Sequence, residues 1–388
     1  AEAPVIANYI CTDCETTPPD IKNCPKCEHP SILYSGCNHV TCCCGIHWCF
    51  ECGQDHDDVH KSFDGSTIYS HMTAKHGGWY RNQAFGAGNN DDDDYVTQPK
   101  TIYEHVATSS NYSYLTYALQ KTNLDGVLNG TDNYTLYAPN NMAFSRFLME
   151  AGFSNVDEVP TEVLTQILLN HVMAGLIQYR DFETGYFQTA ANSAATGTPL
   201  SIHIEQVNMR VTLNGESRIT QGNVYATNGV IHAVDRVVPI PSIVTFAKAD
   251  KGLTNLLIAL TRQDLTVDFA SILSTNVGTA PAPFTVFAPT DQAFINLLTE
   301  LGAQSLSDID EPTLKATLTY HVIGEANALS TDLSDNLELN TLGGPITANI
   351  TGGATLTDGN NRVSKIIAVD VQANNGVIHV IDKVILPN

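Results

Sequence analysis

Cysteine is missing from most of this chain. All ten cysteines of the 388 residues fall between Cys11 and Cys52, and the 336 residues that follow contain none. A disulfide scaffold would normally serve the whole of a secreted chain, so this clustering speaks against a disulfide-built body and for metal in the N-terminal segment. Positive charge is also scarce: 19 Lys and Arg stand against 41 Asp and Glu, a formal charge of −22. That balance argues against nucleic acid, whose phosphates would be repelled, and against anionic membrane surfaces. No apolar run reaches the ~18–20 residues needed to span a bilayer. The chain starts at Ala1 rather than Met, as it would after removal of a signal peptide or after trimming. The region after residue 97 shows no Ser-His-Asp elbow, phosphate loop or HExxH, so nothing in it looks enzymatic.

What is present is a duplication. Tyr134–Phe144 (YTLYAPNNMAF) returns as Phe284–Phe294 (FTVFAPTDQAF), an offset of 150 that also carries LLNHV at 168–172 onto LTYHV at 318–322. NGVIHAVDRVVP at 228–239 answers NGVIHVIDKVILP at 375–387 with an offset of 147. Motifs kept in order at nearly constant spacing mean two related domains, not a solenoid of short repeats. In each copy a period-two run predicts a half-buried strand ending at Ala-Pro, followed by a helix from Met142 to Ala151 or from Gln292 to Leu301. Helices at the front and strands at 200–207, 210–213, 223–238, 346–350, 354–356 and 366–384 give an α+β class.

This motif set resembles the fasciclin-like (FAS1) domain, in TVFAPTDxAF, YHV and NGVIHVIDxVLLP order, over roughly residues 98–388. The second copy fits closely; the first departs, with Tyr137 and Asn141 where the second has Phe287 and Asp291. The resemblance implies two β-wedge domains with flanking helices, at 98–240 and 241–388, whose surface loops and strand edges mediate adhesion to other proteins.

The N-terminal segment reads Cys11-x2-Cys14, Cys24-x2-Cys27, Cys37-Asn-His39, Cys42-Cys43-Cys44, Cys49-x2-Cys52, with His56, His60, His71 and His76 after it. Two thiolates of a Cys-x2-Cys knuckle grip one tetrahedral zinc, so three such knuckles together with the Cys42-x-Cys44 pair predict a small zinc-stabilised domain over 1–80 that needs metal to fold. The run CPKC…SGCNHVTCCCGIHWCFECG, completed by IYSHMTAKHGGWY, resembles the RING2 (Rcat) module of RING-between-RING ubiquitin ligases. That resemblance implies two Zn2+ ions, one on Cys24, Cys27, Cys42 and Cys44 and one on Cys49, Cys52, His71 and His76, with His56 and His60 as a competing pair. It also implies Cys37 as thioester nucleophile and His39 as general base, with ubiquitin and its carrier as partners. A cross-braced RING uses the same residues differently, with Cys37 and His39 as ligands. Cys11 and Cys14 are possible additional ligands of a third ion, and Cys43 is a bystander. Residues 81–97 (RNQAFGAGNNDDDDYVT) predict an acidic linker, its aspartates lacking the alternating ligands of a calcium loop.

His171, His321, His232 and His379, one pair per motif, are expected to make buried hydrogen bonds rather than bind metal. Asn228-Gly229 and Asn375-Gly376 are expected as turns. Sequons stand at Asn111, Asn129, Asn133 and Asn349. Together these features predict a non-enzymatic adhesion or assembly protein with a structural zinc head, extracellular or on the surface of an assembled particle. The alternatives are a ubiquitin ligase fragment, cytosolic and acting through Cys37, and a minor shell protein of a large virus particle.

Overall fold

The computed structural model describes residues 100–208 and 210–388, together with four short strands nearer the N-terminus: β1 (Asp20–Asn23), β2 (Pro30–Leu33), β3 (His39–Thr41) and β4 (His47–Cys49). The chain divides into two units, residues 1–96 and 97–388. In the first, β1 pairs antiparallel with β2, and β3 with β4.

The second unit holds the duplication as two modules. Module 1 runs α1 (Ile102–Ala107), α2 (Ser113–Lys121), α3 (Asp125–Leu128), β5 (Tyr134–Pro139), α4 (Asn141–Ala151), α5 (Thr161–Leu169), β6 (Val172–Ala174), β7 (Gly185–Asn192), β8 (Pro199–Val207), β9 (Arg210–Leu213), β10 (Ser217–Ala226) and β11 (Gly229–Val234). Module 2 repeats that order with α6 (Ile243–Ala249), α7 (Thr254–Leu260), α8 (Phe269–Ile272), β12 (Phe284–Pro289), α9 (Asp291–Leu301), α10 (Glu311–Tyr320), β13 (Val322–Gly324), β14 (Leu337–Thr341), β15 (Gly344–Asn349), β16 (Thr355–Thr357), β17 (Val363–Ala373) and β18 (Gly376–Ile381). The strand orders are β6-β5-β11-β10-β9-β8-β7 and β13-β12-β18-β17-β16-β15-β14. The β runs expected at 223–238 and 366–384 fall on two hairpins, β10–β11 and β17–β18, that turn at the Asn-Gly pairs expected there.

Local chemistry explains the helix after each Ala-Pro. Asn140 Oδ1 accepts from the Ala143 N–H (2.9 Å) and Thr290 Oγ1 from the Ala293 N–H (3.2 Å), satisfying donors that the first turn leaves open. Gly152 and Gly302 end those helices at φ of 78° and 65°, the left-handed cap that glycine adopts without strain. The copies differ at Asn141 and Asp291 but use them alike. Asn141 Oδ1 accepts from the Tyr114 N–H (3.1 Å) and Asp291 Oδ1 from the Asn255 N–H (2.6 Å).

Period two decides the core. Along β5, Leu136 and Ala138 join the helix-side cluster of Ile102, Leu115, Phe144 and Ile231, while Tyr137 turns into a second cluster with Met173, Ile202, Leu213 and Val234. In β12, Phe284, Val286 and Ala288 likewise face the helices, and Phe287 the other side. Both faces of β11 and β18 are covered, so every residue of those strands is buried. The Tyr137 hydroxyl, buried with a phenol pushed far above its ordinary range by desolvation, donates to Met173 Sδ (3.1 Å). Module 2 has no such hydroxyl, and its Phe287 packs in a cluster with Ile323.

Strands β10 and β17 each serve both halves of their sheet. Ser217 and Arg218 pair with β9, and residues from Ile219 onward pair with β11. At the register shifts Asn223 and Asp370 take φ of 60° and 57°. Such bulges bend a strand and raise its twist, letting one ladder turn around the second core.

Candidate functional site

The duplicated histidines hold the modules together. His171 Nδ1 meets the Ile167 carbonyl (2.7 Å), and its Nε2 accepts from the Val238 N–H (2.8 Å). His321 repeats this with Thr317 O (2.7 Å) and the Ile385 N–H (3.2 Å). Each ring must therefore be neutral, with its proton on Nδ1, and desolvation lowers both to a pKa of about 4. His232 and His379 use the other tautomer. Nε2 donates to Ile177 O or Ala328 O (2.9 Å each), while Nδ1 faces the bulge N–H of Asn223 (3.4 Å) or Asp370 (3.5 Å). Burial lowers these two as well. All four make the buried hydrogen bonds expected of them.

Asn228 and Asn375 do more than turn the chain. Asn375 Oδ1 accepts from Ile243 N–H (3.0 Å), the first residue of α6, and its amide donates to Leu273 O (2.8 Å) and Thr275 O (3.0 Å). Asn228 ties α1 and the end of α3 in the same way, through Ile102, Leu128 and Gly130. The signal in the sequence was the identical Asn in both copies; its long-range partners were not readable from the turn. Asn375→Ala leaves three buried backbone groups unpaired and is expected to lower stability by about 3 kcal/mol. Urea unfolding near neutral pH checks this, and a loss under ~0.5 kcal/mol would show the tether to be idle.

Between the modules lies a built seam, which sequence reasoning missed. Gln372 on β17 is its hub: the backbone N–H donates to Ser201 Oγ of β8 (2.9 Å), and the amide nitrogen to Ser193 Oγ (3.1 Å) and Asn327 Oδ1 (2.9 Å). Ser193 Oγ donates onward to Ala373 O (2.9 Å), and the Ala194 N–H to Asn374 Oδ1 (2.9 Å). Farther along, the Tyr186 hydroxyl donates to Asp250 Oδ2 (2.7 Å), and its ring packs edge-on against Phe246 and His203. Burial and the Asp250 charge hold that hydroxyl far above its ordinary range. Burial pushes His203 down against the opposite pull of Asp250 and Glu205. Lys251 pairs with Glu205 (2.5 Å). A Cβ on Gly215 would come within 3.0 Å of Ala249 Cα, so the β9–β10 turn sits directly on α6.

An apolar gap lined by Leu253, Leu256, Val286, Leu318 and Ile378 measures about 10 Å³, room for one water. An open groove of about 270 Å³ at Thr108, Ser109, Ser110 and Tyr117 is lined by hydroxyls and offers neither a carboxylate nor an imidazole.

Of the residues expected to bind zinc or carry catalysis, Cys11, Cys14, Cys24, Cys27, Cys37, Cys42, Cys44, Cys52, His71 and His76 lie outside the described residues. So does the acidic stretch Asp91–Asp94. His39 and Cys49 fall on β3 and β4, where the antiparallel register sets one backbone opposite the other. Among sequons, Asn111, Asn129 and Asn133 are exposed, and Asn349 is half-buried with Oδ1 accepting from the Asn336 N–H (3.0 Å).

Compared with known proteins, residues 110–241 and 251–387 each match the model of the fasciclin domain. The chain belongs to the fasciclin family. Human periostin is 26% identical over 263 residues, covering 67% of this chain and 29% of periostin. The uncharacterized protein sll1735 of Synechocystis sp. is 34% identical over 151 residues, covering 38% of this chain and 98% of its own length. A fasciclin-like arabinogalactan protein of Arthroderma benhamiae is 27% identical over 306 residues, with 76% of this chain and 68% of that protein covered. The chain thus spans less than a third of periostin, yet nearly all of the Synechocystis protein. A solved FAS1 domain pair from the insect cell adhesion molecule fasciclin I superposes with a TM-score of 0.42 at 18% identity, covering 73% of this chain and 95% of that one. No helix among the described residues of this fasciclin-family chain is long and apolar enough to cross a membrane.

Proposed function

We propose that this chain is a non-enzymatic adhesion or assembly component, extracellular or on a particle surface, whose two fasciclin modules present contact surface to other proteins. The observation that carries this is how the interior is used. His171, His232, His321 and His379 are neutral bridges with both ring nitrogens engaged, and the apolar gap that His321 and the helices of module 2 line measures only about 10 Å³. Outer faces remain for recognition, and the FAS1 resemblance implies that such faces adhere. A surface coated with the full chain should retain cells or protein particles bearing its partner, and heat-unfolded chain should not. Equal retention by both would sink the reading.

For the first unit we propose a structural zinc head. Thiolates and imidazoles are the donors zinc takes. The residues holding the ions would be Cys24, Cys27, Cys42, Cys44, Cys49, Cys52, His71 and His76. The Rcat-like run favours one second reading, a ligase fragment with Cys37 as nucleophile and His39 as base. Chelation is expected to release two zinc ions, or three if Cys11 and Cys14 take part, and to abolish head structure by circular dichroism. If the head is structural, incubation with ubiquitin, activating enzyme and carrier gives no reducible adduct. An adduct lost in Cys37→Ala would replace that reading with the ligase.

A further inference from the structure

The seam uses one face of each module and, among the described residues, leaves the matching faces unused. Module 1 contributes the β7–β8 hairpin tip around Ser193 and Ala194; module 2 contributes Gln372, Asn327 and the turn at Asn374. Structural equivalence locates the counterparts. Tyr225 and Gln372 hold the same place before the Asn-Gly turn, opposite Val230 and Val377. Leu176 and Asn327 each follow the residue whose carbonyl accepts from Thr135 or Thr285. Where module 2 has the polar pair Gln372 and Asn327, module 1 therefore has Tyr225 and Leu176, which are 54% and 45% exposed. At the matching hairpin tip of module 2, joining β14 to β15, stands Leu342, 52% exposed. Inside the chain a polar tip meets a polar acceptor. At the unused positions an apolar tip answers an apolar acceptor.

We propose that copies of this chain join head to tail, the Leu342 tip of one seating on the Leu176–Tyr225 patch of the next and so repeating the seam between chains. Two different faces meet in such a contact, so it does not close as a twofold dimer does, and it builds rings or open chains of copies. The occupant follows from the seam: the acceptor position in module 2 is already covered by a hairpin tip of the same fold. Each copy carries a formal charge of −22, so association should strengthen as salt screens the repulsion.

This deepens the assembly reading by naming a second copy as partner. It has its own readout, because failure to self-associate leaves retention of other partners on a coated surface unchanged. Sedimentation of the full, zinc-loaded chain from micromolar to millimolar concentration should show dimers and then longer species, more of them at high salt. Tyr225→Glu and Leu342→Glu, both at exposed positions, should each weaken association by roughly tenfold or more. The milder Tyr225→Gln, which installs the residue of the other copy, should act in the same direction. Mixing the Tyr225→Glu and Leu342→Glu chains should restore dimers but nothing longer, since one intact end remains on each. A wild-type chain that stays monomeric throughout would overturn the proposal. So would an effect of the Tyr225 variants with none at Leu342, which would mean a different occupant.

Discussion

Gly229→Ala is expected to prevent module 1 from folding. A Cβ at that position would lie 1.9 Å from the Tyr134 carbonyl oxygen and 2.9 Å from Ile102 Cδ1. The obstruction is backbone in the parallel β5–β11 ladder, so relief requires two central strands to part. Gly376 meets the same limit against Phe284 O, at 2.3 Å. The loss should exceed ~4 kcal/mol, beyond the range of ordinary substitutions. Gly126, in α3 with nothing within 4 Å of its would-be Cβ, is the control, where alanine should add up to about 1 kcal/mol. Soluble yield and urea midpoints of the two variants make the comparison. A folded Gly229→Ala within ~1 kcal/mol of the parent would refute the close-approach argument.

Acid should unfold the paired modules well above the carboxylate range. His171 and His321 have folded pKa values of about 4 against 6.5 when exposed, so between those limits the unfolded chain binds more protons and stability rises with pH. Their contribution is whole above about pH 6.5 and is lost as pH falls toward 4, about 3 kcal/mol for each ring. His232 and His379 shift in the same direction. Asp264, Asp308, Asp310, Asp335 and Glu311 are held below their usual range by hydrogen bonds, so what they contribute fades only at lower pH. Each module thus loses about 3 kcal/mol from its own buried ring, a large share of an ordinary domain's stability. Urea midpoints from pH 7 to 4.5 should fall steeply, and His171→Gln, which cannot titrate, should start lower and slope less. A flat profile in the parent chain would contradict the neutral-bridge geometry.

Much of each module could be read from local pattern. The Ala-Pro strands, the helices after them and the NGVIH hairpins carry strict periodicity or turn chemistry, and the buried role of His171 followed from its apolar neighbours. Strands β7 and β14 were not legible. Both lie at the end of a sheet: YFQTAAN alternates weakly along its first half, and LELNT alternates but over only five residues, two of them charged or amide. The Asn-Gly turns were anticipated for glycine's backbone freedom, whereas the structure makes contact with β5 and β12 the stricter demand. The seam was hidden for another reason. Its hub, Gln372, differs from its counterpart Tyr225, so a duplication that reveals shared structure conceals what only one copy does. In the head, His39 and Cys49 fall on β3 and β4, the other proposed residues lie outside those described, and the chemistry was read from spacing alone.

The position of β11 and β18 has a consequence for synthesis. Each is the last strand of its module to leave the ribosome, yet each lies between two neighbours that cannot meet without it. An emerging chain can form helices and pair β5 with β6 or β12 with β13 early, but the other edge of β5 and of β12 waits until the final segment arrives. Completion of its sheet falls at the end of translation of each half.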